Sequence, residues 1–122
     1  IDKIICILVS LLQNKLKGRL KGISAKEVKE KVDKREKPYI LDVRGSKEFE
    51  AMRLGIGEVL IPLGALRNRI QELPGDKTTP IICFCKISLR GYEAALILEA
   101  HGYTAVRVME GGIMAWPFSR EK

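Results

Sequence analysis

A cysteine attacks as its thiolate, so the chemistry in this sequence is sought where negative charge on sulfur would be stabilised. Cys85 is such a place. Residues 80–84, PIICF, are a short apolar run behind a proline, the pattern of a buried strand in a parallel sheet. From Tyr92 the segment YEAALILEAH carries good helix formers and no breaker, and Gly102 stands where a C-terminal cap belongs. Between them, Lys86, Ile87, Ser88, Leu89, Arg90 and Gly91 are left to form a tight turn from strand to helix. Backbone N–H groups of such a turn and of a helix N-terminus favour an anion, and Lys86 and Arg90 add positive charge beside it. Cys85 is therefore a candidate nucleophile, and residues 86–91 a candidate anion-holding loop.

The other thiols read differently. Cys83 lies two residues earlier on the apolar run and is expected to be inert packing, as is Cys6. Three cysteines and the single His101 make neither a disulfide framework nor a tetrahedral zinc site, so no metal is expected. An odd number of reduced cysteines suits a reducing, cytoplasmic compartment. His101 ends the predicted helix, where an imidazolium suits the dipole, and is given no catalytic part.

The elements that must position Cys85 follow from patterning. Ser24-Ala-Lys-Glu27 is a capping box, and Ala25, Val28 and Val32 continue it at helical spacing to about Arg35. Pro38 introduces an apolar strand over 39–43, and Ser46 can cap a short helix through Phe49 and Met52. Residues 58–61 form a short strand closed by Pro62. Leu63, Leu66, Ile70 and Leu73 fall at intervals that predict one amphipathic helix, followed by a surface turn over 74–79. A last strand spans 105–109, and Gly111-Gly112 turn the chain into a final helix stopped by Pro117. Strands alternating with helices at these lengths imply crossover units: an α/β domain whose parallel sheet is covered on both faces. Ligands of such sheets sit at the carboxyl ends of strands, where Cys85 is.

At 122 residues the chain is long enough for one domain with a proper core, and its composition is that of a soluble globular protein. Its net charge is +7, but residues 15–37 hold ten basic and four acidic residues, a net of +6. The excess lies away from Cys85. No aromatic interleaves those lysines, so a solvated basic face is expected and no nucleic-acid partner. Residues 4–12, IICILVSLL, are the most apolar window, far short of the ~20 residues of a membrane span, so no membrane partner is expected. Near-continuous apolarity predicts a helix buried against a partner domain or a second copy of the chain. Residues 15–22, with two glycines, read as a linker. The division expected is an N-terminal segment over 1–22 and a domain over 23–122. The first residue is Ile1, as expected of a processed chain or a domain from a longer protein.

A single cysteine on a loop closed by arginine, Cys85-x-x-x-x-Arg90, resembles the active-site loop of the rhodanese family. The likeness extends along the chain. Leu41-Asp42-Val43-Arg44 with Glu48-Phe49 resembles the family's early element. Ile61-Pro62-Leu63 with Leu66-Arg67 and Leu73-Pro74 resembles its middle segment, and Glu110-Gly111-Gly112-Ile113 with Ala115-Trp116 its terminal one. Residues 53–60, RLGIGEVL, depart from the family's histidine-bearing loop at this place. KISLRGYEAA and MEGGIMAW look most like rhodanese domains fused behind FAD-dependent pyridine nucleotide-disulfide reductases of the coenzyme A disulfide or persulfide type.

The resemblance implies a three-layer fold with a mostly parallel five-stranded sheet. It also implies a sulfurtransferase that moves sulfane sulfur from thiosulfate, polysulfide or a small persulfide to a thiol through a persulfide on Cys85. Residues 86–91 would bind the substrate, with Asp42 and Arg44 in support, here read as an ion pair holding the strand end. Arg90 either orients an anion or braces the loop by pairing with a carboxylate; Lys86 steers anions. No cofactor is expected in this chain; FAD, NAD(P)H and coenzyme A would belong to a missing parent domain. The partners implied are a small sulfur-containing anion or thiol, and a flavoprotein reductase domain or a second copy met through residues 1–21. The same fold hosts phosphatases with one more residue in the loop. Four intervening residues suit a cradle for one sulfur better than one for phosphate. The alternative is a non-catalytic interaction or sulfur-delivery module of a larger disulfide reductase.

Overall fold

The computed structural model describes residues 21–87, 89–118 and 120. The expected N-terminal helix and most of the basic linker, Cys6, and Ser88 lie outside the described residues.

The chain runs β1 (Lys21–Ile23), α1 (Ala25–Asp33), β2 (Tyr39–Asp42), α2 (Ser46–Ala51), β3 (Val59–Leu60), α3 (Leu63–Leu66), a 3-10 turn (Ile70–Glu72), β4 (Ile81–Phe84), α4 (Leu89–Ala100), β5 (Val106–Met109) and a 3-10 helix (Gly112–Ala115). The strands form one sheet in the order β1-β5-β4-β2-β3, and every pairing is parallel. β4, the strand that ends at Cys85, is central. Alternation along the strands divides the interior in two. On one face, Leu41, Ile81, Cys83 and Val108 pack under α4, with Tyr92, Ala95 and Leu98. On the other, Ile40, Ile82, Phe84 and Met109 pack with Val28 of α1, Leu54, Ile113 and Trp116. A strand buried on both faces has little room for polar side chains, which is why β4 reads as IICF.

Local chemistry fixes the ends of the helices. At α1, Ser24 Oγ accepts the Glu27 N–H at 3.1 Å, the cap expected from the sequence. At α4, Gly102 takes a φ of +92°, its N–H reaches the Glu99 carbonyl, and the Tyr103 N–H reaches that of Leu98. This pair of bonds closes the last turn and stops the helix where a glycine allows it.

Four expectations need correcting. Residues 21 and 22, expected as the end of the linker, form an edge strand together with Ile23, paired with Arg107, Val108 and Met109; three residues are too few to show an alternation in sequence. Ser46 does not cap α2: Gly45 precedes the helix, and the Glu48 carboxylate accepts its N–H at 3.1 Å. The helix expected over 63–73 is broken. Asn68 and Arg69 donate to carbonyls three residues back, Ala65 and Leu66, and Gly64 and Asn68 are poor helix formers. Its apolar face survives, since Leu66 and Leu73 are buried and Leu63 and Ile70 pack against the same cluster. Finally, α4 begins at Leu89 rather than Tyr92, so Leu89, Arg90 and Gly91 belong to its first turn.

Candidate functional site

The last correction shortens the stretch between Cys85 and the helix, of which Lys86 and Ile87 are described. Gly91 permits this. A Cβ there would lie 3.0 Å from Val108 Cγ1 and 3.6 Å from Phe84 Cα, so a bare backbone lets the first turn of α4 sit on the ends of β4 and β5. A twelve-residue helix thus opens four residues after the cysteine, with its free N–H groups at the carboxyl end of the central strand. Cys85 is buried, 2% exposed, with Cys83 beneath it. Both are free thiols. Burial, with a smaller contribution from Cys85, pushes the Cys83 thiol up to about 12, so Cys83 is no nucleophile near neutral pH.

The backbone of the loop is held from the far end of the chain. Ile113 N–H donates to the Cys85 carbonyl at 2.9 Å and Met114 N–H to the Lys86 carbonyl at 3.1 Å. Gly111 and Gly112 make the approach possible, with φ of +78° and +59°. A Cβ on Gly112 would fall 2.3 Å from the Cys85 oxygen and 2.6 Å from the Lys86 carbonyl carbon. A trans peptide is planar, so a carbonyl tied to one side directs its own N–H to the other. The N–H groups of Lys86 and Ile87 therefore point away from the 3-10 helix.

Arg90 is paired. Its two terminal nitrogens donate to the two Glu48 oxygens at 2.8 and 3.0 Å, a bidentate bridge from α4 to α2. The Arg90 bond, then the Gly45 N–H, hold the Glu48 carboxyl down to about 2 against the opposing effect of burial. The same bond raises the guanidinium's own pKa further, ahead of weaker help from Cys85 and Asp42. α2 is fixed in turn by a second pair. Arg44 and Asp42 are buried and joined through Nε and Nη2 at 2.8–3.0 Å. Arg44 also donates to the Glu48 carbonyl at 3.3 Å and the Met52 carbonyl at 2.7 Å, the exposed end of the helix dipole. Asp42 thus holds Arg44, Arg44 holds α2, and Glu48 on α2 holds Arg90.

Of the expected site residues, Cys85, Lys86, Ile87, Leu89, Arg90 and Gly91 come together at the end of β4, and Asp42 and Arg44 stand behind them. Lys86 and Ile87 are exposed, Leu89 and Arg90 half-buried. Ser88 is not described. Glu48, Gly112, Ile113 and Met114 were not singled out for the site from the sequence. Glu48 carried a signal, since a half-apolar short helix offers few carboxylates to a nearby arginine. Backbone donors such as Ile113 and Met114 carry none. The loop over 53–60 is organised by Glu58, whose carboxylate accepts the N–H groups of Leu54, Gly55 and Ile56 at 2.6, 3.3 and 3.0 Å. Among the described residues no cluster could hold a metal ion.

The family model described as Rhodanese-like domain matches residues 24–117. The chain belongs to the rhodanese-like family. YtwF of Bacillus subtilis is 31% identical over 102 residues, covering 80% of this chain and 90% of YtwF. A protein of Allochromatium vinosum named sulfurtransferase is 26% identical over 94 residues, covering 77% and 85%. Among solved structures, the chain is similar to the rhodanese domain of Bacillus anthracis CoADR-RHD, with a TM-score of 0.72 and 31% identity over 82% of this chain. It is also similar to a NAD-dependent persulfide reductase from A. fulgidus, with a TM-score of 0.67 and 34% identity over 89%. The chain spans 61% of another relative, YqhL of B. subtilis, and only 17% and 18% of the two reductase structures. The rhodanese fold and a relation to sulfur-transfer proteins follow. No helix among the described residues is long and apolar enough to cross a membrane.

Proposed function

We propose that this chain is a rhodanese-type sulfurtransferase domain with Cys85 as its nucleophile. One observation carries the reading. A cysteine at the end of the central strand faces the opening turn of α4 across a loop whose carbonyls are tied back by residues 113 and 114. Such a loop presents N–H groups where an anionic sulfur would sit and needs no rearrangement to do so. With thiosulfate, the Cys85 thiolate attacks the sulfane sulfur, the new S–S bond forms as the old one breaks, and sulfite leaves with the bonding pair. With an organic persulfide the leaving group is a thiolate. An acceptor thiolate then attacks the outer sulfur and regenerates the Cys85 thiolate, a ping-pong cycle. Arg90 braces the loop through Glu48, and Lys86, exposed at the mouth, attracts anions.

The likeness to the reductases supports a partner as well. A flavoprotein domain binding FAD and NAD(P)H, with coenzyme A as the sulfur carrier, would accept or supply the sulfur, all of it outside this chain. Residues 1–21 would dock that domain or a second copy, in a cytoplasmic setting. The depth of Cys85, only 2% exposed, favours one second reading, a delivery module that reacts only when its partner is docked.

The test is intact-mass measurement after brief incubation with thiosulfate or polysulfide, beside Cys85→Ser. Gain of one sulfur on Cys85, absent from the variant and released by cyanide, is the expected result. No gain with either donor would move the reading to the delivery module.

A further inference from the structure

Leu54, Gly55 and Ile56, from the stretch over 53–60 that takes no part in the cysteine site, form one wall of a cavity of about 490 Å³. Lys29 of α1, residues 116–118 and Arg120 line the rest, and none of residues 85–91 does. Its volume lies in the range of small-molecule sites. The lining combines two chemistries. Leu54 and Trp116 are buried, and Phe118 meets Trp116 edge-on with ring centroids 5.1 Å apart, an apolar surface. Among the described residues, the charged groups that line the cavity are Lys29 and Arg120, both cations. Lys29 Nζ stands 5.8 Å from the Phe118 ring centroid, and Arg120 Nη2 donates to the Trp116 carbonyl at 2.6 Å. The two cations therefore flank one aromatic pair. Each keeps donors unused. The Lys29 ammonium bonds Asp33 at 2.9 Å through a pair open to solvent, and Arg120 has one further contact, to Met52 Sδ at 3.6 Å. Glu58, the acid of the 53–60 stretch, does not line the cavity; its carboxylate accepts the N–H groups of Leu54, Gly55 and Ile56 instead.

We propose that this cavity binds a small organic carboxylate with an apolar body. Lys29 and Arg120 receive the charge; Leu54, Trp116 and Phe118 receive the body. Neither half of such a ligand suffices. A bare carboxylate would meet two cations that water already serves, and exposed pairs of that kind gain little. A neutral molecule of the same shape would strip water from two cations and return no hydrogen bond. A ligand carrying both parts covers the apolar wall and meets the unused donors at once, and the planar fork of a guanidinium matches a carboxylate. The site stands apart from the sulfur-transfer reading and does not depend on it.

The test is a proton–nitrogen NMR titration of the full chain, following the indole N–H of Trp116, the one tryptophan in the sequence. Three probes are used: para-butylbenzoate, para-butylbenzyl alcohol, which has the body without the charge, and acetate, which has the charge without the body. Saturable binding of the benzoate is expected, about tenfold tighter than either control, the scale of one hydrogen bond to a charged group. In Lys29→Gln/Arg120→Gln, affinity for the benzoate should fall to that of the alcohol. Lys29 is half-buried at the surface and Arg120 exposed, so neither change enters the core. Equal affinity of the unaltered chain for benzoate and alcohol, or an indole signal that the benzoate leaves unmoved, overturns the proposal. So does a benzoate affinity unchanged in the double variant.

Discussion

Glu48 and Arg90, 42 positions apart, meet in a two-pronged ion pair that ties the first turn of α4 to α2. The arginine that closes the cysteine loop is therefore a strut between helices; the Gly45 N–H donates to the partner carboxylate, and Arg44 donates to the Glu48 backbone carbonyl.

That pair gives stability a dependence on pH with a definite sign. The Glu48 carboxyl lies near 2 in the fold against an ordinary 4.5, chiefly because Arg90 bonds it. Its contribution is complete above about 4.5 and is lost as pH falls towards 2. The pair is about one-third exposed, so screening limits it to ~1 kcal/mol or less. Urea midpoints between pH 5 and pH 2.5 should fall less steeply for Glu48→Gln than for the parent. Parallel curves would show that the pair does not form in solution.

Gly112→Ala should be severe. The new methyl would press on the Cys85 carbonyl at 2.3 Å, and the φ of +59° strains any L-residue. Backbone strain of this kind costs about 1–3 kcal/mol, and moving the loop should slow loading of Cys85 by at least ~10-fold. Denaturant midpoints and loading rates check the two separately. An alanine variant loading at the parent rate would detach this glycine from the chemistry.

The Asp42–Arg44 pair is buried, so removing one side leaves a charge without its partner. Arg44→Met should destabilise by about 3–5 kcal/mol, and Asp42→Asn/Arg44→Met together by less than the sum. Equilibrium unfolding of the double variant and of each single one, Arg44→Met and Asp42→Asn, measures the coupling. Strict additivity would deny it.

Cys83 offers the opposite case. With its thiol pushed up to about 12, Cys83→Ala should keep sulfur loading on Cys85 and lose only about 0.5–1.5 kcal/mol of stability, the scale of one buried heavy atom. Loss of loading in a folded Cys83→Ala protein would instead give the inner thiol a part in the reaction.

The sheet and its order of elements were legible because β4 and α4 are so apolar that burial dictated their place, and because Ser24 and Gly102 punctuate helices in the way their side chains, or lack of one, require. The break between α3 and the following 3-10 turn was not legible. The spacing of Leu63, Leu66, Ile70 and Leu73 records which face meets the core, not whether the axis runs straight. β1 was hidden because its bonds to β5 are made by backbone that any residue carries. The cysteine loop was found, yet its length was overstated, because Leu89, Arg90 and Gly91 do not announce a helix; Gly91 starts one only by resting on Val108. Glu48 and the donors at 113 and 114 were the largest omissions, since both are defined by what they touch at long range.

The bond from Ile113 to the Cys85 carbonyl has a consequence in time. During synthesis, Cys85 emerges well before residues 111–114, and until those follow, the loop's carbonyls have no partners and its peptide planes are free to turn. A nascent chain thus carries the thiol without the anion-holding geometry. The fold arms its cysteine only with a segment that follows β5 in the chain.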